Sequence, residues 1–137
     1  MHTVSFQEKL HHKNYDYDAP PPDRTPSVIR KIRLLHKEVY IVGQKLPKRE
    51  KLGIHSAIEM HIVELLVLAV TAAFQSPQTK RPTLELLRVR TDVLKHLVRS
   101  EYELAIIDEK TYLRLSQYLV EISKMITGWI AYTQKGA

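Results

Sequence analysis

Apolar residues recur at helical spacing in four stretches of this chain. Val28, Ile32, Leu35, Val39, Val42 and Leu46 step by 4, 3, 4, 3 and 4, the spacing that lines one face of a helix, so a first helix is predicted to begin near Ser27, after Pro26. A second runs from about Ile54 to Ala73 and is apolar almost all round between Ile62 and Phe74, with Glu64 its only charge there. Such a helix sits centrally, or is covered on its second side by another subunit. Gln75 to Arg81 carries turn chemistry, and Pro82 is expected to open the third helix. In that helix Leu86, Leu87, Val93, Leu94, Leu97, Val98 and Leu104 fall within one arc of about 140°. Asp108 is placed to cap the fourth, whose Tyr112, Leu115, Leu119, Ile122, Ile126 and Trp129 step by 3, 4, 3, 4 and 3 and which ends near Tyr132.

Four amphipathic segments of similar length with short connections favour antiparallel neighbours. The expected fold is all-α: an up-down antiparallel four-helix bundle over residues 26–137. Residues 1–25 mix His2, His11, His12, Tyr15 and Tyr17 with Asp16, Asp18 and Asp23 and end in Pro20-Pro21-Pro22 without an apolar period. They read as an arm, disordered or ordered only on a partner, and extended at the prolines. The 137 residues suit one core. Only 4 glycines among 44% apolar and 26% charged residues agree with helices rather than turn-rich β structure.

Charge changes the picture most. Between Pro26 and Leu52 the cations Arg30, Lys31, Arg33, Lys37, Lys45, Lys48, Arg49 and Lys51 face only Glu38 and Glu50, a local excess of six that equals the formal net charge of +6 for the whole chain. The field is concentrated, which points to a polyanionic partner. Lys45, Lys48, Arg49 and Lys51 crowd a proline-bent joint, KLPKREKLG. Arg30, Arg33 and Lys37 line up at i, i+3 and i+7 off the apolar seam of the first helix. Arg88, Lys95 and Arg99 make a second rail, opposite the arc of the third helix, suited to docking RNA or a protein partner. The competing reading of any such run is a solvated helix face. Arg90 falls inside the apolar arc, where it needs a carboxylate or a neighbouring chain.

Little else carries chemistry. Without cysteine, disulfides and thiolate metal sites are excluded. His55, Glu59, His61 and Glu64 are the only cluster resembling a metal or acid-base site, but His61 points about 240° from His55, so they read as polar groups on the less buried early turns of the second helix. No phosphate-binding glycine loop or nucleophile motif occurs, so neither catalysis, a metal nor a cofactor is expected. The beginning of the chain lacks the apolar core of a signal peptide, and the longest uncharged apolar run, Leu65 to Phe74, is about half of a membrane span. A cytoplasmic, membrane-independent protein is expected. Gly128 beside the sole tryptophan, Trp129, suggests a close helix–helix contact with the ring capping the core, or else a ring that stacks on a base.

Three segments carry a family resemblance: LPKREKLG, the helix IHSAIEMHIVELLVLAVTAA, and the C-terminal EISKMITGWI. Over roughly residues 28 to 135 the chain resembles the accessory variability determinants of diversity-generating retroelements. The most specific elements are Leu46-Pro47-Lys48 and Gly128-Trp129-Ile130. The resemblance implies a basic, ring-shaped homopentamer without an active site. It also implies binding to the element's reverse transcriptase and its template RNA in the making of mutagenised cDNA, with Lys48, Arg49 and Lys51 facing nucleic acid. LPKREKLG is also similar to the small bundle proteins encoded in intervening sequences of 23S ribosomal RNA genes. That leaves a stand-alone RNA-binding bundle as an alternative, alongside a structural oligomer whose charge serves only solubility.

Overall fold

The computed structural model describes residues 26–135. The arm read from residues 1–25 lies outside the described residues. Four long helices and one short one follow in order: α1 (Ser27–Gln44), α2 (Lys48–Leu52), α3 (Ile54–Phe74), α4 (Pro77–Glu103) and α5 (Glu109–Lys135). The described residues contain no strand. α1 packs on α3 and α5, and α4 on the same two helices, so the long helices close a four-membered up-down bundle.

The core follows the apolar seams. Val28, Ile32, Leu35, Val39 and Val42 of α1 meet Ile58, Ile62, Leu65, Ala69 and Ala72 of α3, Leu84, Leu87, Leu94 and Val98 of α4, and Leu115, Leu119, Ile122, Ile126 and Ile130 of α5. Each fully buried Leu or Ile contributes about 1.5–3 kcal/mol over its exposed state, which makes this burial the main stabilising term. Salt bridges fasten the rim. Lys31 Nζ lies 2.7 Å from Glu121, and Arg114 Nε 3.2 Å from Glu38, both joining α1 to α5.

Three boundaries differ from expectation. α4 begins at Pro77, leaving only Gln75 and Ser76 as a connection, and Pro82 lies inside it. Pro77 takes the first helical position, while Ser76 O accepts from Thr79 and Lys80 N–H at 3.0 Å. The expected turn is thus already helical. α5 continues to Lys135, past Tyr132. The joint is also partly helical: α2 is a short helix entered through Pro47 and ended at Gly53, whose N–H donates to the Arg49 and Glu50 carbonyls.

The apolar arc of α4 is rotated from the expected one. Its buried row is Leu84, Leu87, Thr91, Leu94, Val98 and Glu101, while Leu86, Val93 and Leu104 are exposed. Arg90, at the edge of this arc, meets the carboxylate it needs: its Nη1 lies 2.6 Å from Glu64 of α3.

Helix α3 behaves as its composition demands. Beside its buried row it leaves Met60, Val63, Val67, Val70 and Phe74 exposed, a second seam with steps of 3, 4, 3 and 4. Leu86, Val89 and Val93 of α4 are exposed as well. Lys48–Phe74 is long and apolar enough to cross a membrane by length and composition, a property that a count of its uncharged run alone does not register. Its buried row accounts for part of that composition and the exposed seam for the rest.

Candidate nucleic-acid interface

The outer face of α1 carries Arg30, Arg33 and Lys37, opposite its buried row and exposed to solvent. With 1.5 Å of rise per residue they span about 10 Å. At the C-terminal end of the helix the chain turns through Lys45, Leu46 and Pro47 into α2, where Lys48, Arg49 and Lys51 are all exposed. None of these seven cations has an ion-pair partner among the described residues.

The second rail is different. Arg88 Nη2 lies 2.6 Å from Glu85, Lys95 Nζ 3.4 Å from Asp92, and Arg99 Nε 2.9 Å from Glu103. Arg99 also stacks over the rings of Tyr102 and Tyr112, themselves stacked with centroids 4.6 Å apart. Its hydrogen bonds to Tyr112 and Glu103 hold the guanidinium protonated well above its ordinary range. The acids lie three or four residues away on the same helix, a spacing visible in the sequence but hidden when cations alone are counted.

Beneath the joint lies a buried polar node that the reading of His55 as a less buried surface group does not describe. His55 is fully buried. Its Nδ1 lies 2.7 Å from Glu101 Oε2 of α4, and its Nε2 lies 2.7 Å from the Val39 carbonyl of α1. A carbonyl only accepts, so Nε2 donates, and one further proton is shared with the carboxylate. Burial opposes the charged ring. The Glu101 hydrogen bond, the Val39 carbonyl and the nearby carboxylates of Glu101 and Glu59 outweigh it and raise the His55 pKa. Both ring nitrogens are therefore engaged, and no group of three His, Asp or Glu among the described residues is arranged to hold a metal ion.

Gly43 makes the node possible. A Cβ there would stand 2.8 Å from His55 Cδ2 and 2.9 Å from Nε2, so α1 can approach the ring only where it lacks a side chain. The node thus ties α1, α3 and α4 together at the end of the bundle that bears the cationic joint. The neighbouring α4–α5 turn is fixed as well. Ile106 N–H donates to Glu101 O at 2.9 Å and Ala105 N–H to Tyr102 O at 3.0 Å, a Schellman closure with Ala105 at φ 60°.

Gly128 shows no comparable contact: nothing lies within 4 Å of where its Cβ would be. The close helix–helix contact expected there is absent within the described chain. Trp129 packs partly buried on the core, with Lys80 Nζ 5.5 Å from its ring centroid.

The chain belongs to the bAvd-like family, whose model matches residues 27–133. This is the family of accessory, non-catalytic proteins of diversity-generating retroelements, in agreement with the resemblance carried by the joint and the C-terminal Gly-Trp. No curated protein and no solved structure matches the chain.

Proposed function

We propose that this protein is a scaffold that holds the template RNA of a diversity-generating retroelement through the phosphates and docks its reverse transcriptase, as a closed homo-oligomer in the cytoplasm. One observation carries the reading. Arg30, Arg33, Lys37, Lys45, Lys48, Arg49 and Lys51 have no ion-pair partner among the described residues, nor do Lys110, Lys124 and Lys135 elsewhere, whereas Lys31, Arg81, Arg88, Arg90, Lys95, Arg99 and Arg114 each have one. A solvated face of mixed sign engages its cations with neighbouring acids. Seven cations left free within residues 30–51 attract phosphates and release their counterions.

The exposed seam of Met60, Val63, Val67, Val70 and Phe74, with Leu86, Val89 and Val93 also exposed on α4, supports self-association. The pentameric number comes from the resemblance. Arg88, Lys95 and Arg99, neutralised by their own helix, suit a protein partner better than a phosphate backbone. Co-expression with a reverse transcriptase of a diversity-generating retroelement found beside this gene tests the assignment. Co-purification of the two proteins, with or without template RNA, is expected. Failure to co-purify alongside retained RNA binding would make the stand-alone RNA-binding bundle the better account.

A further inference from the structure

Between the C-terminal end of α1 and the α4–α5 turn opens a cavity of about 740 Å³, within the range of about 300–1,000 Å³ usual for small-ligand sites. Ile41, Leu46 and Ile106 give it an apolar lining that stays open to solvent: Ile41 is 38% exposed, and Leu46 and Ile106 are half-buried. Tyr102 lines it as well, while the ring stacked on Tyr102, that of Tyr112, does not.

The walls are set before a ligand arrives. The turn is closed by the Ile106 N–H bond to Glu101 O. The Glu101 side chain meets His55, whose other ring nitrogen donates to the Val39 carbonyl of α1. The buried node therefore ties the two sides of the cavity together, and a ligand need not order them on binding.

Two charged groups in the lining lack partners. Arg114 is held by Glu38 at 3.2 Å, and Asp108 is engaged in capping α5 through Thr111 N–H. Lys45 on the α1 side and Glu109 on α5 have no ion pair among the described residues. Lys45 also opens the run that continues through the free cations Lys48, Arg49 and Lys51. One cavity thus offers a cation for a phosphate, an apolar slot beside a tyrosine for a planar ring, and a carboxylate for N–H donors. A nucleotide with its base unstacked combines all three.

The bases differ in what they give a carboxylate. Guanine presents N1–H and its amino group as two parallel donors that match both carboxylate oxygens. Adenine and cytosine place a ring-nitrogen lone pair beside the amino group, and uracil flanks its single N–H with two carbonyls. We propose that this cavity receives one unstacked guanosine of a single-stranded RNA, with Glu109 accepting from its Watson–Crick edge and Lys45 holding an adjacent phosphate. The inference rests on the RNA-binding reading above and adds a base preference, which phosphate contacts alone do not supply.

Glu109 lies in the first turn of α5, where an acid favours the helix dipole with or without a ligand. Base preference is therefore the readout, and stability is not. Fluorescence anisotropy at low salt compares a labelled oligouridylate with the same strand carrying one central guanosine. The guanosine strand should bind at least about fivefold tighter, the low end of what a bidentate pair discriminates. In Glu109→Gln the ratio should fall to near one, because the amide offers one acceptor and sets its own N–H against the guanine amino group. Glu50→Gln, which removes an acid of α2 outside the cavity lining, should keep the wild-type ratio.

Equal binding of the two strands by wild type would overturn the guanosine site and leave the RNA reading standing. A preference that survives Glu109→Gln, or that is lost in Glu50→Gln too, would also overturn it. Binding of neither strand would remove the RNA reading and the site together. Guanosine 5′-monophosphate added as competitor should displace the guanosine strand far less well than the unlabelled strand does. Equal competition would make the ligand a free nucleotide and contradict the assignment to a strand.

Discussion

The Nδ1 atom of His55 lies 2.7 Å from Oε2 of Glu101, and both side chains are fully removed from solvent. Two ionisable groups are seldom buried unless they are paired. Here the pair joins α3 to α4, while the other ring nitrogen reaches the α1 backbone at Val39. The second Glu101 oxygen, Oε1, has no hydrogen-bond partner. The pair is therefore a fixed crosspiece rather than a fully compensated network. Removing either member leaves the other buried and alone, so Glu101→Ala should cost about 3–5 kcal/mol, read as a shift of the urea midpoint at constant slope.

The same pair gives stability a pH dependence. The His55 pKa is raised from 6.5 in the folded protein. Its contribution is thus complete below the unfolded value and is lost as pH rises through the folded one. Urea unfolding of wild type should show stability falling as pH rises above about 6.5. That slope should shrink in His55→Gln. A wild-type profile that instead rises over this range would remove the protonated pair from the account.

Gly43 and Gly128 should respond in opposite directions to the same substitution. Alanine gains up to about 1 kcal/mol over glycine inside a helix. At Gly43 that gain is overridden, because the methyl would press on a ring held by two hydrogen bonds. Such overpacking costs about 1–3 kcal/mol. At Gly128 nothing opposes the gain in the isolated chain, so Gly128→Ala should stabilise it. Thermal melts of the two variants check both signs together.

The exposed seam of α3 should be the assembly surface. Val67 is 58% exposed and Phe74 85% exposed. Val67→Lys with Phe74→Lys should convert the oligomer to monomer at micromolar concentration while helicity measured by circular dichroism is kept. Light scattering coupled to size exclusion reads the mass, and a wild type that is itself monomeric would end the ring.

Much of the fold is legible in the sequence because the seams obey one rule. The α1 row follows from its spacing from Val28 to Val42, although Leu46 falls beyond the end of the helix at Gln44, and Asp108 is a cap by type and position: its Oδ1 accepts from Thr111 N–H at 2.8 Å, which lowers the Asp108 pKa. The departures have physical causes. Pro82 has the chemistry of a helix start, but Pro77 has it equally and comes first. Along α4 an arc drawn through leucines and valines alone is rotated off the true row. Thr91 and Glu101 belong to that row, stepping 3, 4, 3, 4 and 3 from Leu84. His55 likewise opens the row 55, 58, 62, 65, 69 and 72.

Two charged residues in register with core rows, at ends that meet in an antiparallel pair, are the sequence signal for the buried node. Assigning polar residues to the surface hides it. The free cations of α1 and the joint are legible by counting. Their difference from the Arg88 rail emerges only when the acids three and four residues away are counted too.

The measurement that bears most directly on the nucleic-acid face is the salt dependence of RNA affinity. Filter binding of single-stranded RNA across a salt series gives a slope of log affinity against log salt, about 0.7 for each phosphate contact. With Lys48→Gln, Arg49→Gln and Lys51→Gln combined, the slope should fall by roughly 2, because three phosphates are no longer neutralised. The combination Arg88→Gln, Lys95→Gln and Arg99→Gln should leave it unchanged. Equal slopes in wild type and the joint variant, or a fall confined to the Arg88 rail, would contradict the assignment of the free cations to phosphate.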